Sequence, residues 1–157
     1  MPKTALHFLD NLLFVHVRSE ETDGHFGMVE FIGPSGDQPP PHVHHKQDEG
    51  FYVIEGEVTL FFPDSEIVLG PGDFMRAPRG VPHTYRVTSE QSARWLVMSI
   101  PGGFERFVEE YGEPTTDLAL PEHTPPDIER IRVLGEKQGI DLLGPPGLLP
   151  KDLPHRD

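Results

Sequence analysis

The chain has 157 residues, with 13 basic and 26 acidic side chains, and therefore a formal net charge of -13. This length is typical of one domain with a buried core, and so acidic a surface repels nucleic acid and anionic membranes, so we expect neither as a partner. The sequence contains no cysteine, which excludes disulfides and thiolate metal ligands. No stretch approaches the roughly 20 apolar residues of a membrane helix, and the N-terminus does not resemble a signal peptide, so we expect a cytoplasmic protein.

Short apolar runs, separated by prolines and glycines, occupy most of the first two thirds of the chain. Runs this short and this regularly spaced are typical of the strands of a β-sandwich or β-barrel. The segment 33–41 reads as a loop. The predicted strands, in chain order, are 12–17, 27–32, 42–45, 50–54, 58–62, 66–69, 74–77, 84–87 and 94–100.

The pattern changes after Pro101, so we divide the chain into a β-barrel at 1–101 and a helical and extended appendage at 102–157. A first helix is predicted at 103–112, where Phe104 and Phe107 begin an apolar series at helical spacing. The sequence leaves open whether this helix closes the mouth of the barrel or packs on its outside.

A second helix is predicted at 128–138, after a proline-rich and threonine-rich linker at 113–126. Thr124 would be its N-cap, followed by proline and an acidic residue, and Gly139 its C-cap. The remaining tail is rich in proline and glycine and is expected to be extended.

Two histidines stand two residues apart in the fourth predicted strand. His42 and His44 therefore point to the same face, whereas Val43 and His45 point to the other. Glu49 opens the next strand after a polar turn. An antiparallel hairpin across this turn would bring Glu49 back beside His44.

A third histidine, His83, follows a turn bracketed by glycines and prolines and begins another strand. Strand alternation places Tyr85 and Val87 on the face of His83, and Thr84 and Arg86 on the opposite face. The other histidines are interpreted as ordinary surface or core residues: His7, His16, His25, His45, His123 and His155.

Together, His42, His44, Glu49 and His83 predict a site for one divalent transition metal per chain. Three neutral imidazoles and one carboxylate suit Fe(II), Mn(II), Ni(II), Co(II), Cu(II) or Zn(II) and do not choose among them. Four protein ligands leave a coordination position open on an ion that prefers five or six ligands, which Lewis-acid or O2 chemistry requires.

These residues resemble the two motifs of the cupin superfamily. The first, G-x(5)-H-x-H-x(3,4)-E-x(6)-G, is matched by Gly36, His42, His44, Glu49 and Gly56. The second, G-x(5)-P-x-G-x(2)-H-x(3)-N, is matched by Gly72, Pro78, Gly80 and His83, with Val87 in place of the final asparagine. The resemblance implies an all-β fold, an antiparallel jelly-roll β-barrel with short C-terminal helices. It also implies that the four residues above bind the metal, and that the chain forms a homodimer through an N-terminal strand.

The segments PPPHVHHKQDE, FYVIEGE and GGFERFVEEYGEP resemble, more loosely, those of single-domain quercetinase-like bacterial cupins. This implies a metal-dependent dioxygenase that acts on a flavonol or a related enolic or phenolic small molecule, with Glu49 as the proton acceptor. Two alternatives stay open: a metal-dependent isomerase or lyase of a small polar substrate, and a non-catalytic binding protein. The predicted walls of the substrate pocket are Tyr85, Phe51, Met28, Phe74 and Trp95.

Overall fold

A computed structural model describes residues 4–154 of the chain. His155 therefore lies outside the described residues. The helices are α1 (Phe104–Tyr111) and α2 (Ile128–Lys137). The strands are β1 (Thr4–Phe8), β2 (Asn11–Val17), β3 (Gly27–Gly33), β4 (His42–His44), β5 (Asp48–Glu55), β6 (Val58–Phe61), β7 (Glu66–Leu69), β8 (Phe74–Ala77), β9 (Thr84–Val87), β10 (Ala93–Ile100), β11 (Glu113–Pro114) and β12 (Ile140–Leu142).

The strands form antiparallel sheets that face each other. A seven-stranded sheet has the order β11-β1-β2-β3-β10-β5-β8. Opposite it lie a three-stranded sheet, β7-β6-β9, and a two-stranded sheet, β12-β4. A bridge between His42 and His83 joins these two smaller sheets. The predicted all-β, antiparallel jelly-roll fold with short C-terminal helices is confirmed.

The core fills the space between the sheets, and strand alternation decides which residues reach it. Along β10, Ala93, Trp95, Val97 and Ser99 are buried, while the intervening residues are partly or fully exposed. Burying large apolar side chains such as Trp95 stabilises the fold by about 25 cal/mol for each Å² removed from water.

The C-terminal segment shares this core. Phe107 and Val108 of α1, Ile131 of α2 and Ile140 of β12 belong to the same buried cluster as the strands. β12 pairs with β4, with Ile140 opposite His44. The division of the chain at residue 101 stays a prediction, but the appendage and the barrel have one hydrophobic core in common. Within residues 4–154, no helix is long and apolar enough to cross a membrane.

The strands that sequence patterns missed are β1, β11 and β12. β1 forms a hairpin with β2, whereas β11 and β12 are held by pairing with distant segments. The predicted cap of the second helix was also wrong. Asp127, rather than Thr124, is the N-cap, because its carboxylate accepts a hydrogen bond from the Arg130 amide at 3.0 Å. Gly139 follows the end of α2 with a φ of 74°, a backbone conformation that favours glycine.

Candidate metal centre and cavity

The predicted metal-binding residues come together inside the barrel. One possible ligand atom from each of His42, His44, Glu49 and His83 lies within 4.8 Å of all the others. His44, Glu49 and His83 are buried, and His42 is half-buried. The Oε2 atom of Glu49 is 2.8 Å from His83 Nε2 and 3.2 Å from His44 Nε2.

The strands bring these residues together by a different route from the predicted hairpin. β4 and β5 are not hydrogen-bonded to each other, because β4 pairs with β12 and β5 pairs with β10 and β8. His42 pairs instead with His83, which stands just before β9. Glu49 thus faces the histidines from the opposite sheet.

Backbone carbonyls orient two of the imidazole rings. The Nδ1 of His42 lies 2.8 Å from the Pro40 carbonyl oxygen, and the Nδ1 of His83 lies 3.2 Å from that of Val81. A carbonyl oxygen only accepts, so each Nδ1 carries the hydrogen and donates it. The Nε2 lone pairs of both rings are then directed toward the cluster, which is the arrangement that metal-binding histidines use.

The electrostatics of the cluster favour a cation. Burial, reinforced by the charges of His83 and His44, lowers the pKa of His42 to about 3. Burial also lowers the pKa of His44. Burial raises the pKa of Glu49, but the neighbouring imidazoles outweigh it and bring the value down to about 2. The Nε2 of His83 lies 2.8 Å from the Oε2 of Glu49, so a proton or a metal ion placed between them would satisfy both atoms.

The donor set therefore fits a divalent transition metal. His44 adds to this fit, because both of its ring nitrogens are buried without a hydrogen-bond partner among the described residues. Buried polar atoms are rarely left unsatisfied, and a ligated ion would satisfy Nε2. Imidazole and carboxylate donors do not distinguish the six metals named above.

A narrow, apolar cavity of about 70 Å³ adjoins His42, His44 and Glu49. Phe104 and Phe107 line it, so α1 forms part of the cavity wall. The other residues of the wall are Phe8, Leu9, Phe31, Pro39, Pro40, Phe51, Tyr85, Val97, Ile131, Ile140 and Leu142.

Two of the five predicted pocket residues, Phe51 and Tyr85, line this cavity. Met28, Phe74 and Trp95 do not. Met28 is on the outer face of the large sheet, in register with Met98. Phe74 is also on the outer face, opposite Tyr52, and its side chain is 55% exposed.

Trp95 points inward but lies deeper than the cavity wall. Its ring stacks on Phe31 at 5.3 Å and meets Tyr85 edge-on at 5.2 Å, so these two side chains cover it. The corrected wall instead draws residues from the N-terminal turn and the C-terminal segment. Apart from Phe104 and Phe107, which lie on the predicted first helix, no short pattern in the sequence indicates these residues, because they reach the cavity through long-range packing.

Two further polar residues near the site were missed. Gln47 is buried in the turn between β4 and β5. The carboxylate of Asp37 accepts a hydrogen bond from the Tyr85 hydroxyl at 3.4 Å. Both belong to loops that read as ordinary polar turns in the sequence.

Comparison with known proteins agrees with this geometry. Residues 28–99 match the family model of the cupin domain. This segment is a cupin domain. It runs from β3 to β10 and contains all four metal-binding candidates.

The chain is 33% identical over 133 residues to quercetin 2,3-dioxygenase of Bacillus subtilis (strain 168). The alignment covers 85% of this chain but only 39% of that relative, so the chain spans about two fifths of its length.

Solved structures share the fold. The polyketide cyclase RemF from Streptomyces resistomycificus superposes with a TM-score of 0.52 at 24% identity, covering 74% of this chain and 76% of that one. KdgF from Halomonas sp. has a TM-score of 0.55 at 18% identity, covering 62% of this chain and 84% of that one. At these identities the likeness shows the fold alone.

Proposed function

We propose that this cupin is a metal-dependent dioxygenase that cleaves a flavonol or a related aromatic enol with O2. The 33% identity to the Bacillus subtilis quercetin 2,3-dioxygenase supports the reaction class. Since this chain spans 39% of that relative, its substrate and activity need a direct test.

The chemistry of the cavity wall carries this proposal. Apart from the three metal-binding candidates that line it, the wall is built from aliphatic, aromatic and proline side chains, with the Tyr85 hydroxyl as an added polar group. No lysine or arginine is among the described lining residues. A small polar or anionic substrate would need such groups, so the isomerase or lyase alternative is disfavoured, and an apolar aromatic substrate is favoured.

The metal, Glu49 and the apolar wall would each have a separate role in the reaction. A bound divalent metal would supply Lewis acidity, which lowers the pKa of a substrate hydroxyl. Glu49 is ionised at neutral pH, because its pKa is about 2, and its Oε2 atom would accept the hydroxyl proton. A carboxylate with so low a pKa is a weak base, so the hydroxyl must be strongly acidified before Glu49 takes its proton. The apolar wall would keep water from protonating the enolate.

An aromatic substrate cannot enter the cavity as it stands. The volume of about 70 Å³ is far below the roughly 300–1,000 Å³ of typical ligand pockets. Phe104, Ile131 and Leu142, which all come from the C-terminal segment, line the cavity. Substrate entry would therefore require these side chains to move outward.

An O2 electrode tests this function. The protein, loaded separately with Fe, Mn, Ni, Co, Cu or Zn, is given a flavonol under air. We expect stoichiometric O2 uptake with at least one metal and its loss in Glu49→Gln. Thermal stabilisation by the flavonol without O2 uptake would instead indicate a binding protein. No uptake with any metal, over a panel of enols and phenols, would rule out the dioxygenase.

A further inference from the structure

Gln47 is a buried amide whose acceptor atom has no evident partner. Its side chain is 3% exposed and lies in the turn between β4 and β5. The Nε2 atom donates to the Gly102 carbonyl at 3.4 Å, whereas the Oε1 atom has no hydrogen bond within the described residues. A buried acceptor left unsatisfied costs about 1–3 kcal/mol, so this atom needs an explanation.

His44 presents the complementary feature. The other two histidines of the cluster donate Nδ1–H to backbone carbonyls, of Pro40 and of Val81. His44 Nδ1 has no such carbonyl, yet it is fully buried. The amide of Gln47 lies beside this ring, where it raises the pKa of His44 against the larger, opposite effect of burial.

We propose that Gln47 is a positioning residue for the bound metal, whose Oε1 accepts the Nδ1–H of His44. This hydrogen bond would fix the tautomer of His44 and direct its Nε2 lone pair to the ion. Outer-shell acceptors of this kind raise the affinity of histidine sites for metal by about 10- to 100-fold. The inference rests on the metal site and not on the dioxygenase reaction.

Gln47 also contacts the segment that begins α1. A test must therefore separate this contact from the proposed hydrogen bond to His44. A Cβ at Gly103 would lie 2.4 Å from Gln47 Nε2, so the amide packs tightly on this backbone. The next residue, Phe104, packs on the His44 ring at 5.8 Å. Loss of the Nε2 donor could therefore disturb the site through α1, without involving Oε1.

Two variants of similar size distinguish these contacts. Gln47→Leu removes both the acceptor for His44 and the donor to Gly102. Gln47→Glu keeps an acceptor for His44 and removes only the donor. Zn(II) and Co(II) affinities are measured by competition with a chelator, alongside the thermal unfolding of each metal-free protein.

We expect Gln47→Leu to bind both metals about 10- to 100-fold more weakly. Gln47→Glu should bind them within about threefold of the natural protein or more tightly. Equal losses in both variants would assign the effect to α1 and overturn the proposal. Natural affinity in Gln47→Leu would overturn it as well.

The tautomer of His44 can be determined without any variant. In the zinc-loaded natural protein, long-range ¹H–¹⁵N NMR of the histidine rings should show a hydrogen on Nδ1 of His44 and none on Nε2. The reverse assignment would overturn the proposal. If the natural protein binds no metal, the proposed metal site is wrong as well. If it binds metal tightly but takes up no O2, only the proposed dioxygenase activity is wrong.

Discussion

His44, the last residue of β4, and the adjacent His45 show how one residue of offset separates the metal centre from the surface. The His44 ring is buried with Glu49, whereas the exposed His45 ring faces outward and pairs with Asp141 at 2.7 Å. Strand alternation is sufficient to predict this difference, because successive side chains point to opposite faces.

This pair therefore provides a matched test of the metal site. We expect His44→Ala to weaken Co(II) binding by more than about 100-fold, beyond the range of outer-shell changes. His45→Ala should stay within twofold, since it removes the adjacent imidazole, which points to the opposite face. Titration of the cobalt absorption spectrum measures both. Equal losses in the two variants would contradict the assignment of His44 as a ligand.

Asp37 makes the stability of the protein depend on pH. Burial, with a smaller contribution from the nearby Asp10, outweighs the hydrogen bonds from Asn11 and Tyr85 and raises the pKa of this carboxyl to about 6. Because the folded pKa lies above the unfolded value, the folded state binds more protons between these two values. The contribution of Asp37 to stability is therefore greatest below about pH 4 and falls as the pH rises to about 6.

We expect Asp37→Asn to remove this dependence. Relative to the natural protein, the metal-free variant should gain up to about 3 kcal/mol in free energy of unfolding between pH 4 and pH 7. Urea unfolding at several pH values measures the difference. A constant difference across this range would show that Asp37 has the same pKa in both states.

Short sequence patterns predict most of the site at the residue scale. The four metal-binding candidates follow from alternation and turn punctuation, which act over a few residues. The pocket wall does not: Met28 and Phe74 were assigned inward by their apolar character, but their register places them on the outer face. Gln47 could not be found either, because its importance depends on what surrounds it in the fold.

At the scale of elements, α2 shows how the C-terminal segment is tied to the barrel. Ile131 is 5% exposed and lines the cavity, whereas Val133, two residues further along, is 44% exposed. The helix thus buries one face on the core and leaves the other in water.

Alanine substitutions on the two faces of α2 measure this docking. We expect Ile131→Ala to lower the free energy of unfolding by about 2–4 kcal/mol, through lost burial and a larger cavity. Val133→Ala should change it by less than about 0.5 kcal/mol. Denaturant unfolding of both variants makes the comparison. Similar small effects would mean that α2 is not part of the cooperative fold.

Local patterns predicted the central strands closely, and three of them, β7, β8 and β9, were predicted at their observed bounds. β1, which forms a hairpin with β2, was missed. β11 and β12 were also missed, because each is short and is held in place by pairing with a distant segment. Such pairing leaves no mark within a window of a few residues. The same reason explains the wrong hairpin between β4 and β5, which are adjacent in sequence but lie in different sheets.

At the scale of the whole molecule, the homodimer stays a prediction. The family resemblance implies pairing through an N-terminal strand, and the exposed edge of an open sheet makes such pairing physically reasonable. In the fold, β11 covers part of the outer edge of β1, opposite Leu6 and His7. We expect light scattering after size exclusion to give twice the chain mass of 17.6 kDa. A mass of one chain over a wide range of concentrations would contradict the dimer.

The pairing of β12 with β4 has a consequence for how the protein acquires its metal. All four metal-binding candidates have been synthesised once the chain reaches His83, but the strand that covers β4 begins only at Ile140. The nascent chain can therefore gather its ligands around an ion while the barrel is still open. Closure of the long intervening loop comes last, because pairings between distant segments form slowly. Metal supplied during synthesis should consequently be incorporated faster than metal added to the finished apoprotein, in which α1 and β12 already pack against the site.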